Sequence, residues 1–147
     1  MRTARQIMLE LNDIGTELSA VDAVRSMTDV TGFGLLGHLI EMCEASGVSA
    51  DVEFKNVPQV HGLAEYVELG CVPGGTTRNF QSYGEKVGTL TSDQRQILCD
   101  PQTSGGLLVS VDPFRREGFL NVARRRGLDL KPLGRLTSGG STRVRVH

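Results

Sequence analysis

Apolar positions along the chain change period several times, and each change marks an element. Ile7, Leu11, Ile14 and Leu18 recur at spacings of four and three, which predicts one face of a helix beginning almost at Met1. Val24 to Val30 reads as extended, with Val24, Thr28 and Val30 on one side and Arg25, Met27 and Asp29 on the other. The helical period returns with Leu35, Leu36, Leu39, Ile40 and Cys43, and Gly47 is placed to end that stripe as a left-handed cap. Val48 to Phe54 then alternates, with Val48, Ala50, Val52 and Phe54 inward and Ser49, Asp51 and Glu53 outward, as a half-buried strand does.

Beyond Pro58 a helix carrying Val60, Leu63, Ala64 and Val67 is expected to close at Gly70. The segment "GCVPGGTTRNFQSYG" is rich in glycine and proline and reads as a long irregular loop, of the kind that is usually functional or mobile. Ser92 is placed to cap a short helix through Ile97 and Leu98, "GGLLVSV" is a buried strand, and Phe114 to Arg126 is a helix stopped by Gly127. Two short strands, around Leu133 to Leu136 and Thr142 to Val146, are joined by the tight turn "TSGGST". Helices and strands mixed without a βαβ rhythm predict an α+β or three-layer αβα domain, a mixed sheet flanked by helices.

At 147 residues the chain suits a single domain over 1–147, able to bury roughly 70% of the surface its unfolded form exposes. A net charge of −1 gives no basic field for nucleic acid or an acidic membrane. No apolar run approaches the ~18 residues of a membrane helix, and "MRTARQIMLEL" lacks the apolar core of a signal peptide. The expected setting is cytoplasmic. Cys43, Cys71 and Cys99 offer neither a close pair nor a C-x-x-C, so neither a disulfide framework nor a zinc site is expected.

The candidate chemistry lies in "MTDVTGFGLLGHLIEM", Met27 to Met42. Gly32, Gly34 and Gly37 have the G-x-G-x-x-G spacing of a dinucleotide turn, but the preceding strand is half polar. Asp51 and Glu53, the acidic residues loosely in range, sit on the next strand. A phosphate at such a helix start would meet repulsion from Asp29 unless a cation lay between them, an arrangement that suits Mg²⁺. A tight turn in which Asp29 only accepts backbone hydrogen bonds explains the residues equally well.

A second polar glycine segment, "DPQTSGGLL" from Asp100 to Leu108, joins "TDVTGFGLLGH" and "VPGGTTRN" in an order and wording that resemble selenophosphate synthetase (selenide, water dikinase). The resemblance is to that family's C-terminal domain and spans nearly the whole chain. The wider superfamily includes aminoimidazole ribonucleotide synthetase, formylglycinamidine ribonucleotide synthetase and thiamine-phosphate kinase. The resemblance implies an αβα-type fold and a parent enzyme making selenophosphate from selenide, ATP and water, with Mg²⁺ and a monovalent cation. It implies that Asp29 is a metal ligand facing the ATP phosphates, with Thr31 and Gly32 near the phosphates. It also implies a homodimeric parent and, as partner, an N-terminal ATP-binding domain with the reactive cysteine or selenocysteine, a lysine and most of the metal carboxylates.

Those N-terminal features do not occur in these 147 residues: Lys55, Lys86 and Lys131 are the only lysines, none beside a cysteine, and there is no P-loop. The expectation is therefore half an enzyme, inactive alone, with no catalytic residue of its own. The alternatives are a stand-alone, non-catalytic interaction module or the C-terminal half of a related ATP-dependent synthetase. His38 is expected to be a buried or capping histidine, and Arg124, Arg125 and Arg126 a solvated helix end. The hydroxyls of Thr31, Thr103 and Ser104 are expected mainly to form turns, with Thr31 best placed to reach phosphate.

Overall fold

An antiparallel ribbon separates two apolar clusters. In the computed structural model, which describes residues 2–147, β1 (Val24–Asp29) pairs with β3 (Leu107–Val111) from Val24↔Val111 to Asp29↔Leu107. Alternation along β3 sends Leu108 into one cluster and Leu107, Val109 and Val111 into the other.

The larger cluster holds Leu36, Leu39, Ile40 and Cys43 of helix α3 (Gly34–Ser46) with Ala50 and Val52 of β2 (Val48–Val52). The smaller one packs Leu18 of α2 (Ile14–Ser19) against Phe119 and Val122 of α7 (Arg116–Arg125). Gly47, with φ +65°, ends α3 in the left-handed conformation its position predicted.

The second sheet runs β4–β2–β5, with β4 (Gly134–Ser138) antiparallel and β5 (Val144–Val146) parallel to the central strand. The chain is thus an α+β domain containing a mixed sheet. The two C-terminal strands do not form a hairpin; the turn between them carries the chain across β2. Ser49, expected to face outward, is buried beneath that turn, where its Oγ donates to Thr142 O (3.0 Å) and accepts from Gly140 N–H (3.0 Å). The alternation also ends early, because Phe54 starts a 3-10 turn over Phe54–Asn56 instead of extending the strand.

The first predicted helix is two: α1 (Arg2–Leu9) and α2, with its proposed start at Met1 outside the described residues. The break falls at Asn12-Asp13, whose carbonyls accept from the N–H of Gly15 and Thr16, the local turn chemistry these residues favour. Only Ile14 and Leu18 of the four-residue stripe pack into a cluster; Ile7 and Leu11 are exposed. In β1, a register shift between Val24 and Ser26 inserts an extra residue, so Val24 and Met27 share the smaller cluster instead of facing apart.

The largest correction is the "GCVPGGTTRNFQSYG" segment. From Gly74 to Tyr83 it is helix α5, entered through Pro73, which supplies the pre-set φ at the N-cap. Helix α4 is shorter than expected (Leu63–Glu68), because Gly62 at φ +81° starts it well after Pro58. Helix α6 (Ser92–Leu98) is capped one residue earlier than predicted: Thr91 and Gln94 form a reciprocal capping box.

On the outer face of the second sheet, Asp51 stands between Arg135 and Arg145, its register partners on β4 and β5. Arg145 Nε donates to its carboxylate at 2.8 Å, and Arg135 and His147 lie at 3.5 and 3.7 Å. The Arg145 hydrogen bond, with the Arg145 charge and the contacts to Arg135 and His147, outweighs desolvation and holds the carboxyl below its usual range. A depressed carboxyl stabilises the fold above the unfolded value of ~3.9 and loses that contribution as pH falls through its folded value. Asp51→Asn should therefore melt below wild type at neutral pH, and the two curves should converge as acid protonates the folded carboxyl. Thermal melts across that range check this; a gap unchanged by acid would contradict it.

Candidate functional site

The end of β1 carries Asp29, exposed and paired through its backbone with Leu107. Its carboxylate has no hydrogen-bond or ion-pair partner among the described residues. Beyond it the chain leaves the strand but stays tied to the second glycine segment. Val30 N–H donates to Gly106 O (2.9 Å), Gly105 N–H to Val30 O (3.0 Å) and Gln102 N–H to Thr31 O (3.0 Å). The two motifs singled out in the sequence are therefore one unit, with 102–106 laid along 30–31. A Cβ on Gly105 would stand 2.7 Å from Val30 O, so glycine is what permits the approach.

The G-x-G-x-x-G spacing has a packing explanation. Gly34 has φ +69°, and a Cβ there would lie 2.8 Å from Cys99 C and 2.9 Å from Leu98 O. A Cβ on Gly37 would meet Phe33 Cβ at 2.5 Å and Tyr83 Cε1 at 3.0 Å. Gly32 differs: it is exposed, and a Cβ would meet nothing within 4 Å. Two of the three glycines let backbone and ring approach the turn; the first opens it to solvent.

Three side chains from outside the turn hold it. His38, buried as expected, accepts Thr31 N–H on Nε2 (3.0 Å), with Thr31 Oγ1 at 3.2 Å. Because Nε2 accepts the peptide N–H, the ring proton sits on Nδ1, which faces a Glu41 carboxylate oxygen at 3.3 Å. Asn79 Nδ2 donates to both Gly32 O and Cys99 O, each at 2.9 Å. The Tyr83 hydroxyl donates to Phe33 O at 2.8 Å. Burial, with the Cys99 thiol beside it, pushes the Tyr83 pKa far up and keeps the donor proton in place.

Asn79 and Tyr83 lie on α5, the helix that sequence reasoning took for a loop. The signal that could have found them is the i, i+3, i+7 recurrence of Thr76, Asn79 and Tyr83, all buried and all polar. Below them, Thr76 Oγ1 lies 3.4 Å from Asp100 Oδ1, and Gln102 Nε2 donates to Asp100 Oδ2 at 2.7 Å. Burial raises the Asp100 carboxyl against the opposing effect of those two hydrogen bonds. Thr103 is exposed and Ser104 half-buried on the segment laid against the turn. Arg124 pairs with Glu117, and Arg126 with Asp13 and Glu17, on the exposed helix end the sequence predicted.

A divalent cation fits Asp29 as a single ligand: the donor is a hard oxygen, exposed and free of a competing cation. Among the described residues, no three His, Cys, Asp or Glu side chains converge on a metal-sized site. A groove of about 440 Å³ lies elsewhere, between Pro73, Thr77 and Phe80 and the side chains of Arg95 and Gln96, and takes in no residue of the Asp29 turn. Cys43 and Cys99 are buried free thiols and Cys71 is exposed. Among the described residues, no helix is long and apolar enough to cross a membrane.

A strand–glycine turn–helix unit is thus stitched to a second glycine segment within an α+β domain. Residues 4–147 match the family described as AIR synthase related protein, C-terminal domain, and the chain belongs to that family. Its relatives at about half identity are named selenide, water dikinase. That of Haemophilus influenzae is 54% identical over 133 residues, which cover 90% of this chain and 38% of the relative. Those of Colwellia psychrerythraea and Pseudomonas putida are 51% and 50% identical, covering 96% and 97% of this chain and 41% and 42% of theirs. The chain thus spans about two fifths of the length of these relatives. The crystal structure of a thiamine-monophosphate kinase from Stenotrophomonas maltophilia has the same fold (TM-score 0.54, 20% identity, covering 84% of this chain and 31% of the kinase).

The glycine geometry makes a sharp contrast testable. Gly34→Ala combines a left-handed backbone with backbone overlap and should cost at least ~2 kcal/mol, lowering Tm by about 4–8 °C. Gly32→Ala, with open space at its Cβ, should stay within ~0.5 kcal/mol of wild type. Parallel melts decide it; equal losses at the two positions would refute the packing account.

Proposed function

We propose that this chain is the C-terminal domain of a selenide, water dikinase and that Asp29 is its contribution to the metal site. The observation that carries the reading is a carboxylate at the end of β1, exposed, without a hydrogen-bond or ion-pair partner among the described residues, and adjacent to an open glycine turn. Half identity to selenide, water dikinases along nine-tenths of the chain or more supports the parent activity. In that activity selenide, ATP and water give selenophosphate, AMP and orthophosphate, with Mg²⁺ and a monovalent cation.

Mg²⁺, when bound, would offset the charge of the ATP phosphates, and Asp29 would hold it by one oxygen. Gly32 offers the phosphates a backbone with no side chain in the way. Thr31 lies near them, but its N–H and hydroxyl are both turned to His38. The remaining ligands, the lysine and the reactive cysteine or selenocysteine would come from an N-terminal ATP-binding domain, in a homodimeric parent. A cytoplasmic setting agrees with three free thiols. Mixing this domain with the N-terminal half and assaying selenide-dependent AMP formation tests the assignment; no activity from a folded mixture would count against it.

Two outcomes follow from a single ligand. The chain alone should bind ATP with Mg²⁺ no more tightly than about millimolar, since one carboxylate cannot assemble the site. A micromolar isotherm in titration calorimetry would end that claim.

In the full-length parent, Asp29→Asn keeps the side-chain shape and one oxygen but removes the charge. Turnover should fall at least ~100-fold, the scale of losing one preorganised electrostatic group. Melting should stay unchanged, because the carboxylate has no hydrogen-bond or ion-pair partner among the described residues. Near-normal turnover at ordinary Mg²⁺ would remove Asp29 from the metal site.

A further inference from the structure

We propose that Asn79 and Tyr83 are positioning residues for the Asp29 turn, fixing the peptide planes through which it meets its ligand. The inference rests on the metal reading of Asp29 for its purpose, but not for its geometry. Successive residues of the turn are each gripped from outside: Thr31 by His38, Gly32 by Asn79 and Phe33 by Tyr83.

Every peptide here is trans and planar, so a carbonyl aimed one way sends the next N–H the other way. Gly32 C=O is held on Asn79, which turns Phe33 N–H away from the buried side. Thr31 C=O is held by Gln102 N–H and Gly34 N–H, which turns Gly32 N–H away likewise. Neither outward N–H has an acceptor among the described residues. They emerge where Gly32 and Phe33 are exposed, three and four residues after Asp29.

Asn79 does more than satisfy a carbonyl. Both hydrogens of its amide are used, one on Gly32 O and one on Cys99 O at the end of α6. The turn is thereby fixed relative to the residue that leads into the 100–106 segment. Gly32 is exposed, but its carbonyl is turned inward to the buried Asn79, which fixes its direction. Tyr83 holds the next peptide, whose Gly34 N–H closes the turn onto Thr31 O, with Gly37 giving its ring room beside Phe33.

The test uses Tyr83→Phe, which deletes one buried oxygen, and Asn79→Leu, which deletes both donors at similar volume. Amide hydrogen exchange by NMR on this chain is the main readout. Exchange at the hydrogen-bonded amides of the turn, Thr31, Gly34 and Gln102, should rise about 10-fold on losing one neutral hydrogen bond. Amides in the middle of α3 should move no more than the change in Tm explains. A uniform rise tracking Tm, or no rise in the turn, would overturn the proposal. Should Asn79→Leu fail to fold, Tyr83→Phe decides alone.

Mn²⁺ serves as a paramagnetic probe of the ligand arm. In the wild-type chain its line broadening should centre on Asp29 and reach the Gly32 and Phe33 amides. In the variants it should persist at Asp29, whose carboxylate neither Asn79 nor Tyr83 touches. Wild-type broadening absent from Asp29 would defeat the metal reading and with it the stated purpose of the grip. Broadening at Asp29 with turn exchange unchanged in the variants would defeat the grip and leave the metal reading standing.

Discussion

A turn between a strand and a helix cannot satisfy its own peptide groups, and that shortage governs the architecture around Val30–Gly34. The residues leave β1's ladder before α3's own hydrogen bonds begin, so partners must come from elsewhere. The 102–106 segment supplies backbone donors and an acceptor, α3 supplies His38, and α5 supplies Asn79 and Tyr83. Elements far apart in sequence converge on five residues because those residues have carbonyls and amides to place. Asp29 inherits its position from this convergence. Its side chain has no hydrogen-bond or ion-pair partner among the described residues, and it is held because the backbone on both sides of it is held.

The same constraint gives the dinucleotide-like glycine pattern a packing reason. Close approach of foreign backbone and a tyrosine ring requires positions 34 and 37 to lack a Cβ. The spacing matches G-x-G-x-x-G because a helix start crossed by another helix and by a cap residue needs small residues at similar intervals. Only Gly32, where a Cβ would meet open space, remains unexplained by packing. It is the glycine whose presence asks for a ligand.

Much of this was legible in the sequence where the hydrophobic period was clean. Helix α3 with its Gly47 cap, strand β3, and the α+β class follow from side-chain pattern alone. Helix α5 was not legible, since its buried face is Thr76, Asn79 and Tyr83 and its start is a Pro-Gly-Gly run. Polar residues buried to serve a neighbouring turn look like a solvated loop when that turn is unknown. Ser49 misled in the same way, being covered by a crossing turn whose path depends on β4 and β5 flanking β2. The split of the first helix and the extra residue in β1 are local turn and bulge chemistry that a periodic reading averages over. In the candidate site, Asp29 and the glycine loop could be named from sequence. Of the three side chains that hold the loop, His38 was expected to be buried or capping, while Asn79 and Tyr83 left only the polar recurrence with Thr76 as a signal.

The strand order has a consequence for how the chain reaches its native state. Each sheet waits for a late segment: Asp29 of β1 needs Leu107, and β2 needs both Gly134 and Val144 to gain neighbours on its two sides. Sheets closed by such distant pairings form slowly, because the entropy of joining remote segments is lost before the contacts reward it. During synthesis β2 would leave the ribosome with both edges bare, and α3 would have only part of its packing surface until the last strand appears. Deleting residues 144–147 would strip β2 of one neighbour, so the domain should tolerate loss of this short segment poorly.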